Sequence, residues 1–170
     1  SNNMKLFQHF RYALIACTLI CITACENTTQ SLFGSYSYKV SGKLAIDGSR
    51  EMISDEIGSL EIINLNSDTL LLAFNAEEGG VFTTQAIVEN NQLILTPCHR
   101  LLTISYIVTE SSLLGGTSNR TIYKDFQVEV YGDATIYDQT IIFNLQYSGK
   151  ALDSNSTIKG NNITLIAKKE

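Results

Sequence analysis

Pro97-Cys98-His99-Arg100 is the one stretch where a thiol and an imidazole stand side by side. A thiolate is a nucleophile, and a neighbouring imidazole can take its proton. Consecutive residues on a strand point to opposite faces, however, so Cys98 and His99 share a site only if the backbone turns there. The competing reading is a strand-end turn that exposes His99 and Arg100 and keeps Cys98 in the core as a small hydrophobe. That second reading is adopted.

Other groups are weaker still. Asp55-Glu56 and Glu77-Glu78 are adjacent carboxylates. A glycosidase pair must face across about 5–9.5 Å of cleft, which consecutive residues in a polar turn do not do, so both pairs read as solvated turns. With His99 as the single imidazole beyond the N-terminal segment, no histidine cluster is present for zinc, and a serine triad would have to use that one ring. No EF-hand spacing, phosphate-binding glycine loop or dinucleotide fingerprint occurs, and Gly79-Gly80 and Gly115-Gly116 are lone pairs in loops. Neither a catalytic residue, nor a metal site, nor a cofactor is expected. Tyr36, Tyr38, Tyr106, Tyr123, Tyr131, Tyr137 and Tyr147 can stack sugars, but tyrosine is also an ordinary residue of half-buried strands. The structural role is the expectation.

The N-terminus carries a different chemistry. Lys5 and Arg11 precede an eleven-residue apolar run, Tyr12 to Ile22, followed by Thr23, Ala24 and Cys25. A bilayer-spanning helix needs about 20 apolar residues, so the run suits the core of a signal peptide. The segment resembles a bacterial lipoprotein signal, with Ile22-Thr23-Ala24-Cys25 as its lipobox. That resemblance implies cleavage before Cys25, a diacylglycerol thioether on its sulfur, and a fatty acyl group such as palmitate on the new amino group. Residues 1–24 then comprise a signal peptide behind Ser1-Asn2-Asn3, which is a tag scar or an upstream start. Residues 25–31 are lipidated cysteine and polar tether, and residues 32–170 form a single β domain. The position after Cys25 is not Asp, which suits outer-membrane sorting.

Cleavage would leave 146 residues, enough for one self-sufficient core without disulfides. It also removes Lys5 and Arg11, leaving ten basic side chains against seventeen acidic ones, a formal net charge of −7. The remaining basic residues are scattered, so nucleic acid is excluded as a partner and adhesion to anionic lipid is disfavoured. Membrane attachment then rests on the acyl chains, at about 0.8 kcal/mol per buried CH₂.

From Phe33 onward the apolar period is two. Tyr36, Tyr38, Val40, Leu44 and Ile46 alternate with polar or small residues, and similar runs recur to Ala167. Hairpin turns are expected at 66–68, 89–91, 138–139 and 160–162, because Asn, Asp and Gly tolerate positive φ. Further turns are expected at Asp47-Gly48, 77–80 and Gly132-Asp133. Pro97 should end a strand, and residues 110–120 read as one long loop between strands at 101–109 and 121–131. Residues 50–58 and 149–156 lack strand character and could each hold a helical turn. The expected fold is all-β: an antiparallel meander of about 8–10 strands, rolled into a curved sheet or up-and-down barrel, with a two-sheet β-sandwich as the alternative.

Signal and β-rich body together resemble the small lipoproteins of Bacteroidetes, some of them calycin-like or lipocalin-like. Phe33-Gly34-Ser35-Tyr36 is similar to how such domains open, with Tyr36 where a lipocalin carries Trp. The resemblance implies a lipid-anchored protein of the outer membrane, on its periplasmic or exposed face. Its expected role is non-enzymatic binding of a small apolar ligand or a glycan, with a structural or interaction subunit of an envelope protein assembly as the alternative. The two are separable. Large inward residues at Phe74, Phe82, Phe126 and Phe143 would fill a barrel and favour the interaction role, whereas an apolar cavity would favour a ligand.

Overall fold

The computed structural model describes residues 29, 31–48 and 50–170, with side chains of 50–54 left aside. Cys25 and its lipobox lie outside the described residues. The chain divides into two compact units, Ser1–Phe33 and Gly34–Glu170. In the first, Leu32 N–H donates to the Thr29 carbonyl at 3.2 Å. Among the described residues no helix is long and apolar enough to cross a membrane.

The second unit is built of ten strands: β1 (Gly34–Ile46), β2 (Arg50–Ser54), β3 (Ile57–Asn64), β4 (Thr69–Ala76), β5 (Gly80–Glu89), β6 (Gln92–Leu95), β7 (Cys98–Ser111), β8 (Thr117–Tyr137), β9 (Thr140–Ala151) and β10 (Thr157–Lys169). All pairings are antiparallel, and β10 returns to pair with β1, so the sheet closes. Two interruptions hide a simpler plan. β2 and β3 lie on the same side of β1 in one register, with Gly42 opposite Ser54 and Lys39 opposite Ile57, and the Val40 N–H donates to the Glu56 carbonyl between them. β6 and β7 likewise follow one another along β8. The molecule is therefore an eight-stave up-and-down barrel, and closure excludes the sandwich.

Alternation delivers the core. Inward residues such as Tyr36, Leu60, Leu72, Phe74, Phe126 and Phe143 are fully buried, while their neighbours along each strand face out. Closure leaves no unpaired edge where the staves run side by side.

Several expected turns are real. Asn66 Oδ1 accepts from the Asp68 and Thr69 N–H groups, and Asn90 and Asp138 take positive φ at the β5–β6 and β8–β9 turns. Two are corrected. Residues 160–162 do not turn the chain: they form a β-bulge inside β10, where the register against β1 shifts and Asn162 takes φ 60°. The extra residue moves the inward set from Ile158 and Gly160 to Ile163 and Leu165. Gly132-Asp133 is also mid-strand. Gly132 has φ 151°, and a Cβ there would lie 3.1 Å from the Leu145 Cα, so the close backbone approach of β9 to β8 requires the glycine. Neither suspected helical turn forms, because 50–54 pairs with β1 and 149–151 with β8. The long loop shrinks to 112–116, the tip of an extended β7–β8 hairpin.

Pro97 behaves as expected. β6 ends just before it, and Thr96 N–H makes a last bond to the Gln85 carbonyl at 2.8 Å. Pro97 offers no N–H to continue that ladder. Beyond it β7 pairs with β8 alone among the described strands, and it parts from β5.

Candidate functional site

The parting of β5 and β7 opens the barrel at one end. There the β4–β5 hairpin stops at Ala76 and Gly80, while the β1–β2 and β7–β8 hairpins beside it run on. The result is a notch of about 400 Å³, floored by Leu44, Leu102 and Ile104 and edged by Asp55, Glu56, Glu77 and Glu78.

Directly beside the notch sits an ion pair. Arg100 Nη2 donates to Glu56 Oε2 at 2.6 Å and Nη1 to Oε1 at 3.1 Å, a two-point match of guanidinium and carboxylate. The Arg100 side chain is 2% exposed and that of Glu56 15%. Tyr38 Oη donates to Glu56 Oε1 at 3.1 Å. The Arg100 guanidinium carbon lies 4.3 Å from the centre of the Phe82 ring, a cation–π contact. Its buried Nε donates to no atom among the described residues. Gly79 lies over the pair, since a Cβ on it would sit 2.7 Å from Arg100 Nη2 and 3.2 Å from Glu56 Oε2.

This corrects two expectations. Arg100 is not exposed, and Glu56 does not belong to a solvated turn. The signal for both was in the alternation. Arg100 has the parity of Leu102 and Ile104, and Glu56 that of Leu60 and Ile62, all inward positions. At both positions the period of two, not the charge of the side chain, decides which way the residue faces.

Electrostatics follow from burial. Desolvation alone would lower the pKa of Arg100, but the hydrogen bonds and charge of Glu56 reverse this and hold it above its ordinary value. Burial pushes the Tyr147 phenol up to about 12, with Arg100 opposing and Glu56 reinforcing the shift. Tyr38 is raised by burial first and then by Glu56. The charged pair is thus ringed by phenols that stay neutral.

Cys98 is half-buried rather than fully in the core, and His99 is exposed on the opposite face. Burial raises the Cys98 thiol pKa, only partly offset by Thr84 and Arg100, which lowers its thiolate fraction. The arrangement clamps two staves together; it brings no base to the thiol. Among the described residues no group of three metal-ligating side chains occurs.

The tyrosines divide. Tyr36, Tyr38 and Tyr147 are core residues, while Tyr123, Tyr131 and Tyr137 are exposed along the outer face of β8. At about 3.4 Å per residue the last two are about 20 Å apart, too far to stack one sugar.

No protein family matches the chain, and no curated protein matches it. Among solved structures, a redesigned β-barrel is similar over 84% of this chain and 94% of its own, at 10% identity and a TM-score of 0.36.

Proposed function

We propose that the chain is a non-enzymatic interaction module of the bacterial cell envelope, anchored by lipid on Cys25 and working from its rim and outer surface. One observation carries the reading: a packed aromatic cluster crosses the interior. Phe74 stacks on Phe82 with centroids 4.8 Å apart, and meets Phe143 edge-on at 5.7 Å and Tyr38 at 5.8 Å. The Arg100 guanidinium covers the other approach to Phe82. Where these rings pack, close-packed side chains leave no space for a guest. Of the two expected roles, this packing favours the interaction subunit over a small apolar ligand in the lumen. The notch is the concave surface a partner would meet.

The lipid anchor rests on the lipobox resemblance, and its outer-membrane location on the residue after Cys25. Native mass spectrometry of the protein extracted from its host membrane tests the proposed role. The expected spectrum has the lipidated mass with no small-molecule adduct. A stoichiometric apolar adduct that survives desolvation would return the lumen to consideration and reject this reading.

A further inference from the structure

One side of the barrel wall is free of charge. The outward positions of β4, of β5 from Val81 to Ile87, and of β6 hold no charged residue. Each of the remaining staves shows at least one: Lys39, Glu61, Asp133, Lys150 and Lys168 are all exposed. On the neutral side Val81, Ile87 and Ile94 are 69%, 45% and 43% exposed, and Ile63 and Leu65 extend the apolar surface at the end of β3. Ile63 stands opposite Leu71, Ile87 stands opposite Ile94, and Leu71 lies diagonal to Ile87 across its partner Gln85. The apolar side chains therefore adjoin across four strands. The solvated face of an antiparallel sheet is ordinarily polar, and a continuous apolar surface rimmed by polar residues marks a contact.

We infer that the mature chain rests this wall on the lipid surface that holds Cys25, with Ile63, Leu71, Val81, Ile87 and Ile94 at the headgroup boundary. The inference rests on the lipid anchor proposed above. Chain connectivity selects lipid as the occupant. Gly34, where the tether enters β1, stands opposite Ile62, next to Ile63 at the corner of the wall. Eight residues separate Gly34 from Cys25 and reach at most about 30 Å, so that corner stays close to the bilayer. Curvature decides against a second copy. Two convex barrel walls meet along a narrow strip, short of the roughly 1,200 Å² that a stable dimer buries, whereas a headgroup layer yields around one wall. Charge agrees. The formal −7 of the mature chain sits on the other walls and at the border, where Glu89 ends β5, so this side meets lipid phosphates with the least repulsion.

The test uses the lipidated chain in phosphatidylcholine vesicles, each variant carrying one fluorophore-labelled cysteine in a Cys98→Ala background. Thr83→Cys lies mid-wall on β5 and Gln146→Cys lies on β9, both at exposed positions. Brominated acyl chains should quench the Thr83→Cys label several-fold more than the Gln146→Cys label, and aqueous iodide should do the reverse. Ile87→Asp with Ile94→Asp should erase that difference while the chain stays on the vesicle. Both side chains are exposed, so circular dichroism should not change. A vesicle-bound chain whose two labels respond alike overturns the inference and leaves the anchor standing. A chain that never joins the vesicles overturns both. Shielding of the Thr83→Cys label from iodide without quenching by bromine would mean that protein covers the wall, and rejects the inference. Bromine quenching that survives the double Asp variant rejects it too, because the apolar side chains then do not hold the wall to lipid.

Discussion

Glu56 and Arg100 are joined by two hydrogen bonds, of 3.1 and 2.6 Å, where no backbone pairing connects their strands. The barrel closes by its ladder at every other stave. At this end the pair reaches past the short β4–β5 hairpin and ties β7 to the segment between β2 and β3.

Removing one partner should therefore cost more than removing both. Glu56→Gln leaves the guanidinium buried without its counter-charge, and a loss of about 3 kcal/mol in urea unfolding is expected. Arg100→Met combined with Glu56→Gln should recover at least half of that, because the apolar chain fills the same space. Equal losses for the single and double variants would show that the pair acts independently of its charge.

Burial gives Tyr147 a signature at alkaline pH. Its folded pKa is raised from 10.0 to about 12, so the folded state holds the phenol proton more tightly than the unfolded chain. Stability from this group is complete below about pH 10 and is lost as pH rises toward 12, a total of about 2 to 3 kcal/mol. Tyr38, raised in the same direction, steepens the fall. Tyr147→Phe should flatten the decline, as read by denaturant unfolding across that range. An unchanged slope would contradict the assignment.

Gly79 tests the roof of the site. Gly79→Ala places a methyl 2.7 Å from Arg100 Nη2, and Arg100 cannot retreat without leaving Glu56. A destabilisation of about 1 to 3 kcal/mol is expected in the parent. In the Arg100→Met background the same change should cost well under half as much, because the obstructing nitrogen is gone.

The lipid anchor has its own assay. Cys25→Ala should abolish incorporation of a labelled fatty acid and shift the protein out of the detergent phase. Retained partitioning by that variant would reject the lipobox.

These sites show what the amino-acid pattern makes legible. Period two from Tyr36 to Ala167 announces the all-β barrel and most of its turns. The Gly160-Asn161-Asn162 bulge looks like a hairpin turn in the sequence because positive φ at an asparagine serves both, and only pairing with β1 and β9 distinguishes them. Gly132 is ambiguous for the same reason, since its positive φ serves a strand interior as well as a turn. Arg100 and Glu56 were legible by parity but 44 residues apart, and nothing local says that two charged inward positions meet. The notch depends on hairpin lengths, which reading 110–120 as a loop and 50–58 as lacking strand character conceals.

The central claim is a solid interior, and xenon under pressure probes it most directly, since an apolar void lined by core side chains takes up the gas. Phe74→Ala, expected to cost about 3 to 5 kcal/mol, supplies the control by opening a void among Phe82, Phe143 and Tyr38. Crystals of the parent should show no xenon inside the barrel, and those of Phe74→Ala should show it where the ring was. Ordered xenon among the inward side chains of the parent would contradict the account.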